Sequence, residues 1–311
     1  MKVGVLMTFS KNIKEELSKI NNLNNKDAVK SELIGYLITN NINIKNGKIK
    51  YSTESEYNIN RFAKLLNNIG IKKYQIDIQG KVFSISINEK INISELELFD
   101  NKFILNKNFN EFIDSCVQCK NENQIEIIEK SLVRGSYLGS GSINNPEKIY
   151  HLEINYNCEK NVDYIIDVLK KYDINVKKLN NTLYVKDGEE ISKLLAFIGA
   201  NSSVLKFEEI RVFRDMRNNV NRLVNCETAN LNKTINAALK QIDDIKFIKK
   251  MKKFNELSEN LQEIANLRLE NPDISLIELG KMLNNPIGKS GVNYRLKSIS
   301  NFADELRNKW I

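Results

Sequence analysis

A pattern of helix, two strands, helix and two strands runs through the first part of this chain and returns about a hundred residues later. A fixed offset of this kind signals duplication, and it constrains the fold more than composition does. After a start helix in TFSKNIKEELSKI, a helix is expected near Lys26 to Thr39. Then INIKNGKIKY alternates about Asn46-Gly47, a strong hairpin signal. A helix from about Glu56 to Asn68 follows, with Ile59, Phe62, Ala63, Leu66 and Ile69 on its apolar face. YQIDIQGKVFSISI reads as a second hairpin, turning near Gln79-Gly80. In the later copy Tyr137 is expected to answer Tyr36, Lys148 to answer Lys48, and a helix near Lys160 to answer the one at Glu56. The strands NVKKL and TLYVK flank Asn180-Asn181, and EEISKLLAFIG makes a final helix.

The segment from Asn271 to Ile299 has a different logic, two short helices joined by a tight turn. Pro272 and Asp273 end a preceding helix, and Ser275 with Glu278 three residues on forms a capping box. The helix SLIELGKML packs through Leu276, Leu279 and Leu283, and NNPIGKSG makes the turn. From Ser290 or Gly291 a second helix buries Val292, Leu296, Ile299, Phe302 and Leu306. Its other face carries Ser290, Asn293, Tyr294 and Lys297, the amide, aromatic and cationic groups that meet base edges in a major groove. Lys289 and Arg295 are placed for phosphates. Between Glu278 and Asp304 no acidic residue occurs, while Lys281, Lys289, Arg295 and Lys297 do, as a phosphate-facing surface requires. A plain helical hairpin with a solvated polar face is the alternative.

Charge placement favours the DNA reading. The net charge is +8, and residues 206 to 253 hold twelve Lys or Arg against six Asp or Glu, whereas the stretch from Ser258 onward balances at seven and seven. A helix capped by Thr228 or Asn230 and running through Leu231, Ile235, Leu239, Ile242 and Ile248 would carry Lys246, Lys249, Lys250, Lys252 and Lys253 near its end, suited to nonspecific phosphate contact. The adjacent Asp243 and Asp244 point about 100° apart on a helix, a poor metal clasp, and are expected to face solvent.

Enzyme signatures are sparse. There is one histidine, no phosphate-binding G-x-x-x-x-G-K-S/T loop and no G-x-S-x-G elbow. Cys116 and Cys119 form a C-x-x-C pair, but zinc would need two more ligands, and His151 and Cys158 fall on opposite phases of their strand. No metal and no cofactor are expected. No segment has the apolar length of a membrane span, and MKVGVLM is too short for a signal-peptide core, so cytoplasmic residence is the plain reading, with nucleoid association expected of a DNA binder.

The passage LVRGSYLGSGSI, Leu132 to Ile143, resembles the LAGLIDADG motif of homing endonucleases, in which small residues let two motif helices pack closely. The resemblance implies a pseudo-twofold saddle in which each motif helix ends in a metal-binding acid. Here the matching positions are Ser140 and, in the first copy, Thr39, and neither can serve as an anionic metal ligand. Thr39-Asn40-Asn41 also departs from the small-residue ending Ser140-Gly141-Ser142.

With RLVNCETANLNKTINAALKQIDDI, NPDISLIELGKML and GKSGVNYRLKSI, these motifs resemble the WhiA family of bacterial regulators of sporulation and cell division. The likeness covers nearly the whole chain from Met7 or Thr8, leaving residues 1 to 6 as an extension or Met7 as the start. It implies an α+β fold: a duplicated αββαββ saddle over 7–220 without endonuclease activity, with repeats of about 8–120 and 121–205, a basic linker helix over 221–256, and an all-α helix-turn-helix domain over 257–311. The implied function is sequence-specific reading of double-stranded promoter DNA, with another transcription regulator or RNA polymerase as candidate protein partner. Two alternatives remain: a metal-dependent endonuclease using noncanonical ligands such as Glu153 or Asp163, and a protein-docking adaptor with secondary DNA contact.

Overall fold

The computed structural model describes residues 8–45, 47–118 and 122–309, so Asn46, Cys119 and the Met7 start lie outside the described residues. The chain divides into two compact units, Met1–Asp215 and Met216–Ile311.

In the first unit the duplication is visible element by element. Helices α1 (Phe9–Ser18) and α2 (Lys26–Leu37) lead into strands β1 (Ile42–Lys45) and β2 (Lys48–Thr53), helix α3 (Glu56–Asn68), and strands β3 (Tyr74–Gln79) and β4 (Val82–Ile87). A hairpin of β5 (Leu96–Phe99) and β6 (Lys102–Leu105) intervenes. Then α4 (Lys107–Gln118), α5 (Glu122–Ser140), β7 (Ser142–Ile143), β8 (Leu152–Asn155), α6 (Glu159–Lys170), β9 (Lys177–Leu179) and β10 (Thr182–Val185) repeat the order, and α7 (Gly188–Ile198) closes it. The sheets run β1-β2-β4-β3 and β7-β8-β10-β9, the same antiparallel topology twice.

Local chemistry explains the boundaries. Thr8, Asn25 and Ser55 each offer a side-chain oxygen to a backbone N–H in the first turn of α1, α2 and α3. Gly47 and Gly80 take positive φ, 74° and 62°, at the two hairpin turns of the first copy. Helix α2 is buried on nearly every side because it packs against α5 and α3, with Tyr36 set edge-on to the Tyr51 ring of β2. The copies differ in one connection: the expected match of Lys48 with Lys148 fails, because Lys148 lies in the longer link between β7 and β8. That link is pinned by the Arg214 guanidinium donating to the Pro146 carbonyl at 2.6 Å.

The paired helices cross where their backbones touch. A Cβ on Gly35 would lie 2.2 Å from the Leu132 carbonyl oxygen, and one on Gly135 would lie 1.9 Å from that of Glu32. Only glycine permits this approach. The crossing also buries charge. Glu32 accepts from Arg61 Nε at 2.7 Å and Nη2 at 2.8 Å, and from Arg134 Nη1 at 3.4 Å. Arg134 Nε donates to the Ile198 carbonyl at 2.8 Å, so the cluster ties α2, α3, α5 and α7 together.

The second unit is all helical. Helix α8 (Asn201–Lys250) passes through Thr228 and Asn230 without interruption, so neither residue caps a separate linker helix as the sequence suggests. Its start is held in the first unit, where Glu16 accepts from the Ser202 and Ser203 N–H groups at 2.7 and 3.0 Å. Its end packs Ile245 and Ile248 against α9 (Glu259–Glu270), α10 (Leu276–Lys281) and α11 (Lys289–Asn308). Asp244 does not face solvent as expected: it is buried, with one oxygen 2.7 Å from Arg307 Nη2. Among the described residues no helix is long and apolar enough to cross a membrane.

Candidate nucleic-acid interface

The turn between α10 and α11 is built from both sides. Ser275 Oγ accepts from the Glu278 N–H at 3.3 Å while the Glu278 carboxylate accepts from the Ser275 N–H at 3.0 Å, completing the capping box. Those hydrogen bonds hold the Glu278 carboxyl below its ordinary pKa. Gly280 then lets the returning chain pass: a Cβ there would meet the Ile287 carbonyl oxygen at 2.2 Å, and the Ile287 N–H donates to the Gly280 carbonyl at 3.1 Å. Asn284 N–H donates to Glu263 at 2.7 Å, fastening the turn to α9.

The turn fixes which face of α11 is buried. Val292, Leu296, Ile299, Ala303 and Leu306 enter the core, and Phe302 is partly buried beside them. Ser290, Asn293, Tyr294 and Lys297 all stand exposed along one side, and Tyr294 keeps 74% of its surface in solvent. Lys289 is the first residue of α11 and Arg295 is half-buried at the edge of that face. Gly288 provides no side-chain cap, so the N–H groups of the first turn are free to meet a phosphate.

The five lysines at and just beyond the end of α8 divide into two kinds. Lys249 donates to Asn266 at 2.9 Å and lies over the Phe254 ring, and Lys253 pairs with Glu256. Lys246, Lys250 and Lys252 are exposed, and no ion pair involves them among the described residues.

The second candidate region lies where α2 and α5 end. The glycine contacts relate the helices at an offset of 100, pairing Gly35 with Gly135 and setting the Thr39 side chain against Gly139. The residue that mirrors Ser140 is therefore Asn40, not Thr39. Thr39 is buried, and its hydroxyl donates to the Tyr36 carbonyl at 2.7 Å. Ser140 Oγ donates to the Asn155 carbonyl at 2.6 Å and accepts from the Asn155 N–H at 3.0 Å. An open groove of about 570 Å³ runs past these ends, lined by amides including Asn40, Asn43, Asn155, Asn157 and Asn181, with Asp100 its only carboxylate.

That donor set does not fit the divalent ions of a LAGLIDADG nuclease, which need several carboxylates to hold them. Glu153 is engaged with His151 at 3.3 Å and Ser142 at 3.3 Å, while Asp163 pairs with Lys178 at 2.7 Å. Among the described residues no group of three or more His, Cys, Asp or Glu side chains could hold a metal.

Comparison with known proteins agrees with both halves of this description. Residues 129–217 match the model of the WhiA LAGLIDADG-like domain, and residues 220–303 that of the WhiA C-terminal HTH domain. A probable cell division protein WhiA of Clostridium tetani is 38% identical over 323 residues, covering 96% of this chain and 98% of its own. The protein of the same name from Clostridium acetobutylicum is 51% identical over 184 residues, 58% of each chain. The crystal structure of full-length DUF199/WhiA from Thermatoga maritima aligns with a TM-score of 0.55 at 27% identity, covering 96% of this chain and 99% of that one. A duplicated LAGLIDADG-like fold without its paired acids, joined to a helix-turn-helix unit and matched along almost its entire length, makes this chain a member of the WhiA family.

Proposed function

We propose that the protein is a sequence-specific DNA-binding transcription regulator acting in the control of cell division, sporulation or both. The observation that carries this reading is the exposed side of α11, where Ser290, Asn293, Tyr294 and Lys297 project together from a helix whose opposite side is fixed in a core. Such a helix can enter a major groove with Asn293 reading a base edge through its amide and Lys297 a base or phosphate. Lys289 and Arg295 flank it for phosphates. The exposed Lys246, Lys250 and Lys252 supply charge that any DNA sequence would satisfy, joined by Lys249 and Lys253 once their internal contacts yield. Involvement in cell division rests on the relatives' names.

In this reading residues 7–220 are a scaffold that no longer cleaves DNA, 221–256 a basic linker, and 257–311 the reader. Asn40 and Ser140 support the loss of cleavage, since an amide and a hydroxyl cannot replace two carboxylates on Mg²⁺. Promoter DNA is the partner, with another regulator or RNA polymerase as a protein contact at the promoter, and the cytoplasmic nucleoid the place of action.

The test uses the full chain and duplexes selected by it from a random pool. Asn293→Ala should relax base preference, whereas Lys289→Ala should weaken all duplexes alike and lower the salt slope by about one counterion. Absence of DNA retention at low salt would sink the reading. Incubation of supercoiled plasmid with Mg²⁺ or Mn²⁺ tests the scaffold: nicking that vanished on replacing Glu153 or Asp163 would make the protein a nuclease.

A further inference from the structure

Within the second unit, α8 between Met216 and Leu239 carries large apolar side chains that stand about half exposed among the described residues. Met216, Val220, Val224, Leu231, Ile235 and Leu239 are each 46% to 60% exposed. Soluble surfaces scatter such residues singly, whereas these fall three or four apart, or at twice that spacing, along one side of a helix. Their order is also symmetric. Met216 and Leu239 are equally distant from a point between Glu227 and Thr228, and so are Val220 and Ile235, and Val224 and Leu231.

From that symmetry we infer that this stretch of α8 is a pairing surface for a second copy of the chain, joined antiparallel about a twofold axis through residues 227 and 228. An axis at this point sets Val224 level with Leu231 of the second copy and Val220 level with Ile235, so each of the six meets an apolar residue, while Leu223 lies level with Asn232. The six side chains and their neighbour Leu223 offer on the order of 700 Å² from each copy, close to the roughly 800 Å² per partner of a standard interface. By the turn of about 100° per residue, Arg222 and Lys233 fall on the far side and stay in water. An unrelated partner helix would have no use for a palindromic stripe, which is why the occupant is the chain itself.

Two charged residues lie inside the stripe by the same turn per residue, Arg217 near its end in the direction of Ile235 and, at its centre, Glu227. Two copies of Glu227 meet near the axis, so it fixes the register at a cost in affinity, as a lone polar residue does in a helical seam. This gives variants that act in opposite directions. Sedimentation equilibrium of the full chain at micromolar concentration should give a dimer. Glu227→Leu should tighten it by about tenfold, and Val224→Glu with Leu231→Glu should weaken it by more than about tenfold. The altered positions are exposed, so circular dichroism should keep its helical signal. If the wild type and Glu227→Leu are both monomeric, or if the double variant dimerises as the wild type does, the inference is wrong. It does not rest on the DNA-reading role of α11, and DNA binding by a monomer would leave that role standing while removing this one.

Discussion

Two helix pairs in this protein are closed by the same device and put to different ends. Helices α2 and α5 touch through Gly35 and Gly135, and the link between α10 and α11 passes over Gly280; in each case a Cβ would collide with a carbonyl oxygen at 2.2 Å or less. At the first crossing the polar residues turn inward, where Glu32, Arg61 and Arg134 are at most 7% exposed. At the second they turn outward, leaving Asn293 and Tyr294 in solvent. A buried polar cluster can set geometry but cannot reach a ligand. In the proposed reading the first crossing is a scaffold and the later pair a recognition surface.

The comparison is tested hardest at Glu32. Glu32→Gln removes the counter-charge of two buried guanidiniums, and breaking a buried ion pair on one side costs about 3–5 kcal/mol. Burial already disfavours the charged form of Arg134, and Glu32 is what opposes it. Urea unfolding of the full chain should show the transition of the first unit moving to lower concentration while that of the second stays in place. Equal movement of both transitions would mean that the cluster is not confined to the scaffold. Replacing all three residues with apolar ones of similar volume should recover much of the loss, since it removes the desolvation cost of all three charges at once.

What the sequence revealed depended on how local the signal was. The first hairpins announce themselves through Gly47 and Gly80, and the capping box through Ser275 and Glu278, all within a few residues. The hairpin of β5 and β6 went unseen although Asp100 and Asn101 both adopt positive φ, 46° and 57°, the signature of a tight two-residue turn. Its turn lacks the glycine that usually flags one. Asp244 looked solvent-facing because its partner Arg307 is distant in sequence, and the burial of Glu32 likewise depends on Arg61 and Arg134 from other helices. Thr39 and Ser140 share the offset of Tyr36 and Tyr137, 101 residues, whereas the backbone contacts require 100. One residue on a helix is a rotation of about 100°, enough to exchange a buried side chain for one at the groove.

Gly280 is to the second helix pair what Gly35 and Gly135 are to the first. Gly280→Ala must push the Ile287 carbonyl away from its 2.2 Å approach and should cost about 1–3 kcal/mol in the second unit alone. DNA affinity should fall with it, because α11 is aimed by this turn. Asn293→Ala should leave the unfolding curve where it is and change only discrimination among duplexes. If Gly280→Ala left both stability and DNA binding intact, the turn would not be what orients the reader.

The smallest expected effect concerns the outer layer of the scaffold. Lys14 lies on α1, and burial pulls its amine down from 10.5 to about 8, with Glu54 pulling weakly in the opposite direction. Between those two values the unfolded chain holds a proton that the folded chain has released, so stability should rise as pH is raised through that window. Below about pH 8 both states are protonated and the folded one bears a charge that is poorly solvated. The side chain is only partly enclosed, which reduces the effect to on the order of 1 kcal/mol. Lys14→Met keeps the aliphatic stem and removes the amine; it should stabilise the first unit near neutral pH and flatten its pH dependence above pH 8. A variant whose unfolding midpoint still climbs between pH 8 and 10.5 as steeply as the wild type would assign that rise to other groups.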